Sequence, residues 1–116
     1  MHIKVLHHSG CSKSNAVLEY LKENKVAFEV INMVEEPLSI LEIKTVLKKL
    51  GKTASEIIRD NEILYKEQFS DKEYSEEEWL FILSENPSLI QRPILVKGSE
   101  AIIGRPIEKV INFLEN

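Results

Sequence analysis

The sequence predicts an α/β fold: a mixed four-stranded sheet made of a β-α-β half and a β-β-α half, with a helical insert between them. Three observations predict it. Near the start, two short apolar stretches flank a segment of helical periodicity, the pattern of two parallel strands joined by a crossover helix. Near the end, two apolar stretches lie either side of Gly98-Ser99 and lead into another periodic segment, which reads as a hairpin followed by a helix. Between the halves, two serine-led capping signatures open helical patterns and no strand pattern intervenes.

Taken in order, Ile3 and Val5, with the apolar-to-polar break at His7, read as a short strand, and Ser9-Gly10 is turn chemistry. Ser14, Val17, Leu18 and Leu21 share one face of a helix expected to end near Asn24-Lys25. Phe28 to Asn32 alternates and forms the second strand. Glu35-Glu36-Pro37 marks a loop. Ser39-Ile40-Leu41-Glu42 then matches a capping box, with Ile43, Val46, Leu47 and Leu50 as the apolar face and Gly51 as the stop. Thr53 to Arg59 reads as a further short helix, and Asp60 to Tyr74 as polar and irregular apart from Ile63, Leu64, Tyr65 and Phe69. Ser75 and Glu78 make a second capping box, opening a helix with Trp79, Ile82 and Leu83 that Pro87 ends. Ile94-Leu95-Val96 and Ala101-Ile102-Ile103 are the hairpin strands. The last helix is expected from about Pro106, whose fixed φ suits the first helical position, and buries Ile107, Val110, Ile111 and Leu114. With the insert removed, this order resembles the thioredoxin or glutaredoxin topology, with helices on both faces of the sheet.

A chain of 116 residues, 43% of them hydrophobic, has room for one core and not for two ordinary domains, so residues 1–116 are expected to form a single domain. The longest apolar run, Trp79 to Leu83, is far short of the roughly 20 residues that span a bilayer, and the N-terminus enters a strand without a signal-peptide core. No membrane association and a cytoplasmic location are the expectations. The lone cysteine allows no internal disulfide and no thiolate metal cage, which points to a reducing compartment and no metal. The net charge of −4, with both signs mixed along the chain, lacks the basic stripe of a nucleic-acid binder. Glu76-Glu77-Glu78 reads as a solvated first helical turn.

That cysteine, Cys11, falls at the junction of the first strand and first helix. There the helix's unpaired N–H groups and dipole favour an anion, whether a thiolate or a bound oxyanion. An ordinary thiol titrates near about 8.5, and a helix N-terminus with a nearby cation lowers this by about one to several units. Lys13 and His7 or His8 are the local cations. The alternative is a small buried hydrophobe, against which stand the polar, glycine-containing flanks.

Arg59, Arg92 and Arg105 are the only arginines. Arg92 and Arg105 each precede a proline, at the two ends of the hairpin that should lie side by side. Two planar guanidinium forks converging there would bind a tetrahedral oxyanion bidentately, which lysine does less well. The alternative is three surface arginines in ordinary ion pairs.

Four segments in order, His7-His8-Ser9-Gly10-Cys11-Ser12-Lys13-Ser14, Ile57-Ile58-Arg59-Asp60-Asn61, Gln91-Arg92-Pro93-Ile94 and Gly104-Arg105-Pro106, resemble the glutaredoxin-type arsenate reductases and their Spx-type relatives over nearly the whole chain. The resemblance implies that Cys11 attacks the oxyanion, that Arg59, Arg92 and Arg105 hold the anion and its thiol adduct, and that His7 helps activate the thiol. It also implies substrate contacts from Ser12 and Ser14, and a cis peptide before Pro93, where a trans bond would otherwise be the default. Family members commonly read His-Asn-Pro before the cysteine and carry an arginine after Ser-Lys-Ser, whereas this chain has His8-Ser9-Gly10 and Asn15. Those changes bear on which anion fits.

The activity so implied is reduction of arsenate, or a similar oxyanion, to arsenite by a monothiol enzyme, with glutathione as co-substrate, glutaredoxin as partner and no bound cofactor. Another class of function is an Spx-like regulator that binds RNA polymerase. Its redox-switch form uses a Cys-x-x-Cys pair, and here the second position is Ser14. A related thiol oxidoreductase with another substrate is the third possibility. Phosphatase-type chemistry needs Cys-x5-Arg, and the residue at that spacing is Val17.

Overall fold

Alternation along the first strand sends Ile3 and Val5 to one face of the sheet and Leu6 to the other, and the helices divide between those two faces. The computed structural model describes residues 2–7 and 12–115, with only the backbone of residues 12–14. The strands are β1 (His2–His7), β2 (Ala27–Asn32), β3 (Ile94–Lys97) and β4 (Glu100–Ile103), in the order β2-β1-β3-β4. β1 pairs parallel with β2, from His2 opposite Ala27 to His7 opposite Asn32, and antiparallel with β3, with Leu6 opposite Ile94. The β3–β4 hairpin turns at Gly98-Ser99, with Lys97 opposite Glu100 and Gly98 at φ 60°. The sheet is therefore mixed.

Helix α1 (Ser12–Glu23) and helix α5 (Ile107–Glu115) cover one face. Val17 and Leu21, then Val110 and Phe113, pack there with Ile3, Val5 and Leu95. The other face carries the insert, in which α2 (Ile40–Leu50), α3 (Ile63–Gln68) and α4 (Glu76–Glu85) accompany short 3₁₀ turns at Ala54–Ile57 and Pro87–Leu89. Leu6, Ile94 and Val96 meet Ile43, Leu47, Trp79 and Leu83 in this second core.

Local chemistry sets the ends of these helices. The Ser39 hydroxyl accepts the Glu42 N–H at 3.1 Å while the Glu42 carboxylate accepts the Ser39 N–H at 3.0 Å, and Ser75 and Glu78 repeat the exchange at 3.2 and 2.9 Å. Each box satisfies donors that the first helical turn leaves without a partner. Gly51 ends α2 in the left-handed conformation at φ 70°, where a Cβ would be strained.

Four expectations are corrected. The stretch expected to be a helix from Thr53 to Arg59 narrows to the 3₁₀ turn Ala54–Ile57, and Ile58 returns to extended backbone to bridge Ile90. The stretch expected to be irregular holds α3. No α3 side chain is fully buried, but Leu64 and Tyr65 pack against the core, and Tyr65, Phe69 and Tyr74 surround Trp79. Tertiary packing supplies what six residues cannot supply alone. The last helix begins at Ile107, not Pro106; the Pro106 carbonyl instead accepts the Lys109 N–H at 3.0 Å and so starts the helix from outside it. Val110 and Phe113 are the buried residues of this helix, while Ile107, Ile111 and Leu114, expected to be buried, are only partly so, because position 113 satisfies the same helical spacing from Val110.

Candidate active site

β1 delivers His7 to the end of the sheet beside the hairpin's entry. His7 is 5% exposed, and its carbonyl accepts the Met33 N–H at 2.9 Å. One residue past the Leu6–Ile94 pair lie His7 on β1 and Pro93 before β3. The Arg92–Pro93 and Arg105–Pro106 peptide bonds are both cis. Helix α1 begins at Ser12; Cys11, the expected nucleophile, and the side chains of Ser12 and Ser14 lie outside the described residues.

Backbone carbonyls gather the three arginines. The segments Ile57–Arg59 and Leu89–Gln91, each leaving a 3₁₀ turn, run antiparallel, joined by the Arg59 N–H to the Leu89 carbonyl at 2.7 Å, the Gln91 N–H to the Ile57 carbonyl at 2.8 Å and the Ile58–Ile90 bridge. The Gln91 side-chain amide adds a bond to the Ile58 carbonyl at 3.1 Å. This short ladder sets Arg59 opposite Leu89, one residue from Ser88. The Ser88 carbonyl accepts Nη1 of both Arg59, at 3.4 Å, and Arg92, at 3.2 Å. The Arg92 carbonyl in turn accepts Nε of Arg105 at 2.6 Å. Arg92 is 7% exposed. Arg105 also lines a cleft of about 410 Å³ with Ala16 and Val17 of α1 and Gly104 to Glu108, which brings it beside the early turns of the helix that follows Cys11.

Three guanidiniums sharing two carbonyls repel one another, so an anion among them is stabilised by charge and by fork-shaped donors together. Arg59 carries a partial counter-charge already: its Nη1 donates to Glu62 Oε2 at 2.9 Å. Glu62 and Ser88 are the participants that sequence reasoning missed. Ser88 contributes a main-chain atom, which leaves no sequence signal. Glu62 stands three residues after Arg59, and that spacing was the available clue. Among the described residues, no group of three or more histidine, cysteine, aspartate or glutamate side chains is placed to hold a metal ion. No helix among them is long and apolar enough to cross a membrane.

Strand order β2-β1-β3-β4, a cis-proline at the head of β3 and helices on both faces define a thioredoxin-like α/β protein. Within that class the chain belongs to the ArsC family, which residues 6–113 match. It is 40% identical over 114 residues to the uncharacterized protein YfgD of Escherichia coli strain K12, covering 97% of this chain and 96% of that one. It is 34% identical over 110 residues to an arsenate reductase of Neisseria meningitidis serogroup B strain MC58, covering 93% and 94%. The solved structure of an arsenate reductase from Vibrio cholerae superposes with a TM-score of 0.89 at 34% identity, over 97% of each chain.

Proposed function

We propose that the protein is a monothiol arsenate reductase that converts arsenate to arsenite through Cys11, with glutathione and glutaredoxin as electron donors. The observation that carries this reading is the convergence of Arg59 and Arg92 on the Ser88 carbonyl and of Arg105 on the Arg92 carbonyl. Such a cluster suits a tetrahedral oxyanion. It would hold arsenate as the thiolate attacks arsenic and would neutralise the charge of the adduct. His7, buried at the end of β1, is assigned to activating the thiol, and Ser12 and Ser14 to contacts with the anion.

The electron count supports an outside donor. Taking arsenic from the +5 to the +3 state consumes two electrons, and the chain has one cysteine. Cys11 and one glutathione supply them: a sulfur–sulfur bond forms between the two thiols, one arsenic–oxygen bond breaks, and the oxygen leaves as water with the two thiol protons. A glutaredoxin thiol then attacks the mixed disulfide and returns Cys11 to the thiol form.

The test is incubation with arsenate and glutathione alone, followed by intact-mass measurement, and then addition of glutaredoxin. The expected results are a glutathione adduct on Cys11 and arsenite formation that depends on glutaredoxin. Equal turnover with thioredoxin and no small thiol would overturn the donor assignment, and absence of arsenite with every donor would overturn the substrate.

A further inference from the structure

We infer that Glu62 is the positioning residue for Arg59 and sets the charge that the arginine cluster presents to its oxyanion; the assignment rests on reading Arg59, Arg92 and Arg105 as an anion clamp. Glu62 is tied to Arg59 twice. Its N–H donates to the Arg59 carbonyl at 3.1 Å, closing a turn, and its carboxylate accepts Arg59 Nη1 at 2.9 Å. The turn fixes the span between the two side chains, so the carboxylate meets the guanidinium with little freedom left to lose.

Glu62 stands at the N-cap of α3, yet its side chain makes no capping bond there. The carboxylate faces Arg59 instead. The two side chains are 16% and 33% exposed, so water screens the pair less than it screens a surface ion pair. The three arginines and Glu62 together carry two units of positive charge, where the arginines alone would carry three.

Two effects follow. The carboxylate holds Nη1 of Arg59 on the side of Ser88, which orients the guanidinium before any anion arrives. It also competes with that anion for the same fork, which weakens binding of the ground state. A residue that only supported the fold would do neither.

The experiment is calorimetric titration of arsenate, and separately of sulfate, into the full chain carrying Cys11→Ser to stop covalent chemistry. Glu62 is compared with Glu62→Gln and Glu62→Ala, each also in an Arg59→Ala background. Glutamine keeps an acceptor for Nη1 and removes the charge, so arsenate is expected to bind roughly ten-fold tighter, the effect of one partly screened unit charge at close range. Glu62→Ala is expected to gain less, because Arg59 loses its anchor, and the gain should largely vanish when Arg59 is absent. Equal or weaker binding by Glu62→Gln, in a protein whose parent binds arsenate, would overturn the role of Glu62 alone. A parent that binds neither arsenate nor sulfate would overturn the clamp and this assignment with it.

Discussion

Position 105 needs arginine because its bond to the main chain leaves through Nε. That atom donates to the Arg92 carbonyl at 2.6 Å, and a lysine has no nitrogen at that point of the chain. Arg105→Lys keeps the charge and loses both the anchor and the fork. We expect arsenate reduction, as kcat/KM, to fall at least about ten-fold, or about 1.4 kcal/mol, with the melting temperature nearly unchanged since the residue is only half-buried. An unchanged rate in the folded variant would return Arg105 to the role of an ordinary surface ion pair. The arginines were legible in the sequence because they are the only three and two of them precede prolines. Their common acceptors were not, since a carbonyl at Ser88 looks in sequence like any other.

Among the elements, Gly104 links β4 to the arginine that follows it by allowing a close approach. A Cβ there would stand 2.9 Å from Leu95 Cδ1, 3.1 Å from Pro93 Cγ and 3.2 Å from Val110 Cγ2, and Leu95, Pro93 and Val110 are all buried. Gly104→Ala is therefore expected to destabilise the fold by about 1–3 kcal/mol through overpacking, read as a lower melting temperature. An unshifted melting temperature would mean that the neighbours yield freely. Helices opened by Ser39 and Ser75 were readable because the capping box is a local exchange of side-chain and main-chain bonds. α3 was not readable, since its apolar residues are held by Trp79, which lies outside the segment. At Pro106, sequence alone does not separate a first helical residue from the residue just before one.

The whole molecule should show an acid sensitivity located at its caps. The pKa of Glu42 and of Glu78 is lowered, first by the main-chain N–H of Ser39 and of Ser75, then by their hydroxyls; Glu56 is lowered the same way by Thr53. A depressed carboxylate adds stability above its unfolded value near 4.5, and that stability is lost as pH falls through the lower folded value. Replacing all three by glutamine should flatten the fall of melting temperature between about pH 5 and about pH 3 relative to the parent; an identical slope would place the acid sensitivity elsewhere. Topology was legible at this scale because strand, crossover and hairpin each carry their own period. The 57–59 and 89–91 ladder was not, because it joins segments some thirty residues apart with no periodic pattern of their own.

That ladder governs when the arginine cluster can form during synthesis. A growing chain displays Cys11 early, together with everything needed for the parallel β1–β2 unit, but none of the three arginines is made before residue 59. Arg59 finds Ser88 only after the insert has folded back along residues 89–91, and Arg105 finds Arg92 only after the hairpin has closed. An unfinished chain thus carries the proposed nucleophile without the arginine cluster proposed to bind its anion, and acquires that cluster as the last segments dock.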